Sequence, residues 1–117
     1  MAPKKGELTF ADRQKLDDLL LETINDILLD IFGNKSLHNM LLVMDEVYSL
    51  KWDEIPEKTE TFELALQNIL RRGHVIIEDL ILENLYPKLG VSFQFKSGYN
   101  FSDYMEDLKK VSRAPIS

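Results

Sequence analysis

His74 and Glu78 are the two residues of this sequence whose types and spacing come closest to forming a chemical site. Four positions apart, they share one face of a helix, where an imidazole and a carboxylate make half of a divalent-metal ligand set. The other histidine, His38, has no acidic residue three or four positions away, so the sequence does not complete the set. We interpret His74 as a histidine near a helix start that is solvated or bonded to a backbone group. A small metal or ligand site that uses His74 and Glu78 is the alternative.

A second polar pattern is acidic and recurs every four positions: Asp18, Glu22, Asp26 and Asp30. A metal site inside a helical bundle needs carboxylates that point inward, typically with a Glu-x-x-His pair on a facing helix. The sequence contains no Glu-x-x-His, and the four carboxylates turn away from the apolar face of their helix. They therefore indicate a solvated surface rather than a metal centre.

Other catalytic signatures are missing from the sequence. There is no cysteine, no glycine-rich phosphate loop and no Gly-x-Ser-x-Gly elbow. No nucleophile has an evident base beside it in the pattern. We predict a protein that is not an enzyme, with no catalytic, cofactor-binding or metal-binding residues and no cofactor.

The element around which these residues must be arranged is the apolar stretch Gly73–Gly90. Its apolar positions surround a helix on almost every side and leave a narrow polar seam at Glu78, Asp79 and Glu83. Such a helix must be wrapped by other protein elements. Pro87 predicts that the helix ends at about Tyr86, with Gly90 in the following turn. Gly73 predicts either a left-handed stop or a close helix crossing.

The preceding part of the chain predicts three more helices. The first is amphipathic, is capped by Thr9, runs from Phe10 to Phe32 and is stopped by Gly33-Asn34. Ser36 is the expected cap of the second, which runs to about Ser49 and includes Met40 and Met44. Leu50–Ile55 then fits one turn capped by Ser49 and closed by Pro56. Thr59 or Thr61 is the expected cap of the third, whose core face is Phe62, Ala65, Leu66, Ile69 and Leu70.

After Gly90 the apolar period changes from helical to alternating, with Val91, Phe93 and Phe95 on one side. The sequence offers no convincing second strand, and a lone strand cannot satisfy its own backbone hydrogen bonds. The segment either pairs with a symmetry mate or packs its aromatic side chains on the bundle, and we favour the second interpretation. Asn100 or Ser102 then caps a last helix, whose apolar side is Tyr104, Met105, Leu108 and Val111.

Length and charge restrict the function further. At 117 residues and a net charge of −6, the chain forms one domain that repels phosphate backbones unless its basic residues converge. We expect a flexible arm over 1–8, a helical domain over 9–111 and a flexible tail over 112–117. The start lacks the apolar core of a signal peptide, and no run is long enough to span a membrane. Membrane binding is not expected, nucleic acid is an improbable partner, and a cytoplasmic location is the default.

The aromatic residues between Phe93 and Tyr104 are too closely spaced to fit in one small core, so some should stay exposed. Leu19 and Leu29 likewise fall outside the apolar arc of the first helix. Exposed apolar side chains in a row commonly mark a contact surface. The predicted interface with a second copy or another protein therefore contains Leu19, Leu29, Phe93, Phe95 and Tyr99.

The order of these features also resembles a known family. The matching elements are Ile55-Pro56, Phe62-x-x-x-Leu66, the Gly73 joint, Ile77-Glu78 to Ile81, Leu85-Tyr86-x-Lys88-Leu89-Gly90 and Phe101-x-Asp103-Tyr104-x-x-x-Leu108. Over about residues 36–110 they resemble the archaeal helical domains described as nitrososphaera output domains of the fifth type. The resemblance implies an archaeal, cytoplasmic, all-helical module that occurs alone or attached to signalling domains. It implies no catalytic residues.

Together these observations predict an all-α fold, a bundle of four to five helices with a short extended aromatic segment before the last helix. The leading function hypothesis is a non-catalytic module that acts through protein–protein contacts, as a homodimer or with another protein partner. The alternatives are a small metal or ligand site and a DNA-binding regulator. The regulator would need Arg71, Arg72, Lys109 and Lys110 on one face.

Overall fold

The structure, a computed structural model, describes residues 10–110, and within that range the backbone contains helices and no strand. The four α-helices are α1 Phe10–Tyr48, α2 Thr59–Leu70, α3 His74–Lys88 and α4 Phe101–Lys110, with 3-10 turns at Trp52–Glu57 and Arg71–Gly73. The predicted all-α class is confirmed. The arm, the Thr9 cap, Val111 and the tail lie outside the described residues.

Helix α1 is divided by Gly33, whose φ of 85° and ψ of 170° depart from helical values. This is the break that the sequence predicts between its first and second helices. Helical backbone resumes at Asn34, so Ser36 lies inside the helix rather than at its cap. Side chains on both sides of the break are buried in one core: Leu16, Leu20, Ile24, Leu28, Leu37, Met40 and Met44.

The connection between α1 and α2 is capped by other residues than the sequence predicts. Ser49 has a φ of 52°, which is left-handed and ends α1, so it caps nothing. The following 3-10 turn is capped instead by Glu54, whose side chain accepts the Lys51 backbone N–H at 2.9 Å. Pro56 lies inside this turn and is buried with Ile55. Thr59 is the first residue of α2, preceded by Lys58 without a side-chain cap.

Helix α4 is fixed at its N-terminus by two carboxylates. Asp103 accepts the backbone N–H of Asn100 at 2.8 Å, which makes Asn100 the cap that precedes Phe101. Ser102 is instead buried against α2, where its N–H and Oγ both donate to Glu63 Oε1, at 3.1 and 3.0 Å. A helix leaves its first N–H groups without partners inside the helix, and these bonds satisfy two of them.

Helix α3 contacts all three other α-helices, as the apolar stretch predicts. Ile77, Ile81 and Leu85 form its buried side. The expectation that it is wrapped on every side is wrong, because Val75 is 50% exposed and Ile76 is 64% exposed. None of the helices within residues 10–110 has the length and apolar character needed to cross a bilayer.

Candidate functional site

The segment from Val91 to Asn100, here called the extended segment, connects α3 to α4 and leaves α3 at a defined angle. Gly90 has a φ of 75°, and the N–H groups of Gly90 and Val91 bond to the carbonyls of Pro87 and Tyr86, at 3.0 and 3.1 Å. This is the hydrogen-bond pattern of a Schellman motif. Pro87 lies inside the last turn, where its carbonyl accepts the Gly90 bond. The helix therefore continues to Lys88, two residues beyond the predicted end.

A row of aromatic rings holds the extended segment on α3 and α4. Phe93 packs edge-on against Tyr86, with ring centroids 5.1 Å apart, and lies 5.2 Å from Tyr104. Tyr99 meets the other side of Tyr104 at 4.9 Å. Contacts of this kind stabilise by about 0.5–1.5 kcal/mol beyond the area they bury. The predicted packing of aromatic side chains on the bundle is thereby confirmed.

Polar bonds fix the middle of the extended segment. The Tyr104 hydroxyl accepts the Lys96 backbone N–H at 2.7 Å and donates to the Lys96 carbonyl at 3.2 Å. Asp107 accepts from Lys96 Nζ at 2.9 Å and from the Tyr99 hydroxyl at 3.0 Å. The bond from Lys96 is the largest reason that the pKa of Asp107 lies below its ordinary value. A turn closed by Tyr99 N–H to Lys96 O, with Gly98 at a φ of 83°, completes the anchoring.

Between these anchors, residues 92–95 carry backbone groups that have no hydrogen-bond partner in the described part of the chain. Phe95 lies at the end of this stretch and is 77% exposed, more than any other large apolar side chain of the described residues. Tyr99, beyond the turn, is 37% exposed. Free N–H and C=O groups beside exposed aromatic side chains are also what the edge of a β-sheet presents, although residues 10–110 contain no sheet.

The five predicted interface residues divide into two groups. Phe95, Tyr99 and Leu29 are exposed. Leu19 and Phe93 are partly buried and pack against the core, so they offer less surface to a partner. The remaining exposed apolar side chains lie on helices, whose backbone groups already bond within the helix: Ile31, Leu42, Val43, Val47, Leu64, Val75 and Ile76. The extended segment is therefore where free backbone groups and exposed aromatic rings occur together.

His74 and Glu78 meet in the first turns of α3, with His74 Nδ1 2.8 Å from Glu78 Oε2. The prediction that Glu78 lies in a polar seam and that His74 is solvated or bonded to backbone is wrong, because Glu78 is buried and is the partner of His74. Burial raises the pKa of Glu78, the bond from His74 opposes that rise, and Glu63 and Asp79 add to it. No group of three possible metal ligands exists among the described residues.

The four basic residues that a DNA-binding face would need belong to different elements. Arg71 and Arg72 form the turn between α2 and α3, and Lys109 and Lys110 are the last residues of α4. Lys109 is paired with Glu106 of its own helix at 3.7 Å.

The four acidic residues that recur along α1 are solvated, as predicted. Asp18, Glu22, Asp26 and Asp30 are all exposed. Glu22 Oε2 lies 3.6 Å from Lys88 Nζ, which also donates to Thr23 Oγ1 at 3.0 Å. This contact joins the C-terminal end of α3 to α1, and it is a structural role rather than a metal site.

Sequence reasoning did not find the bonds of Lys96 to Asp107 and Tyr104, or the bond of Glu63 to Ser102. These pairs join different elements at separations that follow no helical or strand period, so no local signal identifies them. The bond between Asp103 and the Asn100 N–H is the contact of this region that has a local signal, because residues three positions apart form a capping pattern.

Comparison of the chain with protein-family models, curated proteins and solved structures finds no match. The family resemblance drawn from the sequence stays a prediction.

Proposed function

We propose that this protein is a non-catalytic interaction module that forms a homodimer by pairing its extended segment with the same segment of a second copy. The observation that carries this proposal is the free backbone of residues 92–95 beside the 77% exposed Phe95. An exposed edge of this kind adds a strand from another chain, because main-chain hydrogen bonds supply affinity and alternate side chains supply specificity. The anchors at Lys96, Tyr99 and Tyr104 hold the segment in shape before pairing, which lowers the entropy cost of association.

A second copy is a suitable partner because the segment is complementary to itself. In an antiparallel register centred on Gln94, Phe95 lies opposite Phe93 of the second copy, and Lys96 lies opposite Ser92. Aromatic pairs across a strand pair are stabilising, and this register opposes no like charges. Lys96 is already matched by Asp107. The acidic face of α1, which carries much of the net charge of −6, need not enter this interface.

The proposed module requires no metal, cofactor or membrane. No contact among the described residues brings Arg71 and Arg72 together with Lys109 and Lys110, so no observation favours DNA binding. The absence of cysteine is compatible with the reducing cytoplasm, which is the compartment we propose. A role in archaeal signalling or regulation follows from the family resemblance alone.

The test measures assembly by sedimentation equilibrium and amide hydrogen exchange. We expect a concentration-dependent dimer in which the amides of Phe93 and Phe95 gain protection as the protein concentration rises, because alternate residues of a strand bond to the same neighbour and Lys96 already bonds to Tyr104. Phe95→Ser should weaken dimerisation by about tenfold or more, because it removes an aromatic contact at the centre of the interface. The same variant should retain its helical circular dichroism, since Phe95 contributes little to the core.

Ile76→Ser is the matched control, because Ile76 is a large apolar side chain of similar exposure on the surface of α3. It should leave the dimer unchanged. A protein that stays monomeric at all concentrations would contradict the proposal. So would a dimer that Phe95→Ser leaves intact, or one in which the amides of Phe93 and Phe95 exchange at the same rate at low and high concentration.

A further inference from the structure

A groove lies beside the extended segment, and its walls do not include Phe95 or Tyr99. Ser92 and Gln94 belong both to the groove and to the segment proposed to pair with a second copy. It has a volume of about 380 Å³. Three elements supply its polar lining, namely α3, the extended segment and α4, through Tyr86, Ser92, Gln94, Lys96, Asp107 and Lys110. Small-molecule sites in proteins typically enclose about 300–1,000 Å³, so the groove has the size of a modest binding site.

Tyr86 places its hydroxyl on the wall of this groove. The residue is 8% exposed, and the hydroxyl has no hydrogen-bond partner among the described residues. The hydroxyl opens on the groove rather than being enclosed, since Arg13 Nε is the only buried side-chain nitrogen or oxygen of the described residues that lacks a partner. It can therefore donate to an acceptor that enters the groove. Burial is the largest cause that raises the pKa of Tyr86, to about 12, with Asp107 contributing. The hydroxyl therefore keeps its proton at neutral pH and acts as a donor.

The charged side chains of the groove, Lys96, Lys110 and Asp107, sum to one positive charge. Lys96 pairs with Asp107 at 2.9 Å, and Asp107 also accepts from Tyr99. Lys110, on the last turn of α4, lies within 4 Å of no carboxylate of the described residues, although its charge helps to lower the pKa of Asp107. Ser92 and Gln94 are exposed and add neutral hydrogen-bonding groups, while Val91 and Leu108 add apolar surface. A net charge of one, a phenol donor and an apolar wall together suit one negative charge on an apolar body.

We propose that this groove is a binding site for a small organic monocarboxylate. Its carboxylate would accept from the Tyr86 hydroxyl and pair with Lys110, and its apolar part would lie against Val91 and Leu108. A single carboxylate suits the site better than a dianion, because Lys96, Lys110 and Asp107 sum to one positive charge, which one carboxylate neutralises. The inference does not rest on the proposed homodimer, because Tyr86, Lys110, Val91 and Leu108 make the proposed contacts and none of them lies in the paired residues 92–95.

The experiment follows backbone amide shifts by NMR while phenylacetate is added to the full-length protein. We expect saturable shifts at Ser92, Gln94 and the last turn of α4, with millimolar affinity. Phenylacetamide has the same ring without the charge and should bind about tenfold more weakly, as for loss of a hydrogen bond to a charged group. Equal shifts with the amide, or no shifts with the acid at high millimolar concentration, would overturn the proposal.

Variants separate the two contacts from each other and from the homodimer. Tyr86→Phe keeps the ring packing and removes the hydroxyl, and Lys110→Met keeps the side-chain stem and removes the charge. Each should weaken phenylacetate binding by about fivefold to tenfold. Lys35→Met, which removes an exposed charge from α1, is the matched control and should bind normally. Phe95→Ser should also bind normally, so loss of the dimer and loss of the ligand are read independently. Unchanged binding by both Tyr86→Phe and Lys110→Met would contradict the assignment.

Discussion

The two ends of α3 are connected to the neighbouring elements by turns in which different residues adopt a positive φ. Each connects α3 to its neighbour, and each has a glycine in its sequence. At the C-terminal end, Gly90 takes the left-handed conformation, with a φ of 75°. At the N-terminal end, Gly73 has ordinary right-handed angles, φ −68° and ψ −13°, while Arg71 has a φ of 58° and a ψ of −128°. The predicted left-handed stop exists there, but on an arginine.

The difference follows from what determines each turn. The turn at Gly90 is closed by bonds from Gly90 and Val91 back to Pro87 and Tyr86, so its geometry is local. The joint at Arg71 connects two packed helices over three residues, and its angles depend on where those helices lie. A residue other than glycine in this region costs about 1–3 kcal/mol, which the packing of α2 and α3 must offset. Gly73 is also not a close crossing, since its missing Cβ would meet no atom within 4 Å.

The largest expected effect tests whether the core holds both ends of α3 equally. Ile77→Ala, near the Arg71 joint, and Leu85→Ala, near the Gly90 turn, should each lower the free energy of unfolding by about 2–5 kcal/mol, because both leave a cavity. Chemical denaturation measures the loss. Ile76→Ala, at an exposed neighbouring position, should change stability by less than about 0.5 kcal/mol. A loss below about 1 kcal/mol for either buried residue would show that its end is not anchored by the core.

The second prediction compares the two glycines directly. Gly90→Ala should destabilise by about 1–2 kcal/mol, because an L-residue is strained in the left-handed conformation. No atom lies within 4 Å of the added methyl group, so the cost is purely conformational. Gly73→Ala should be neutral or stabilise by up to about 1 kcal/mol, since its angles suit alanine and the unfolded chain loses freedom. Denaturant unfolding of both variants that gave the opposite order would overturn the comparison.

The smallest effect concerns Arg71 itself. Arg71→Gly should stabilise the protein by about 1 kcal/mol, because relief of backbone strain exceeds the added freedom of the unfolded chain. Arg72→Gly removes a neighbouring exposed arginine whose φ is not positive. It should destabilise by about 0.5–1 kcal/mol. Thermal unfolding of the two variants under the same buffer measures the difference, and a destabilised Arg71→Gly would mean that the arginine side chain contributes more than its backbone costs.

For the candidate site, the sequence identified the right segment but only part of its contents. The alternation of Val91, Phe93 and Phe95 predicted an extended backbone, and the density of aromatic residues predicted that some would be exposed. It could not tell Phe93 from Phe95, which share a side of the segment. Phe93 packs on Tyr86 and Tyr104, whereas Phe95 is 77% exposed. The sequence also could not predict the groove, because its lining residues come from three elements that are distant in the chain.

The sequence by itself determined the features that depend on residues close to one another in the chain. The helical period of the apolar residues specified the all-α class, Gly33 specified the break in α1, and Gly90 specified the end of α3. Tertiary structure alone decided where Arg71 was strained, which partner Glu78 found and which hydroxyl remained unpaired beside the groove. Those outcomes depend on groups that are distant in the chain and close in space, and the period of a single helix or strand contains no information about such distances.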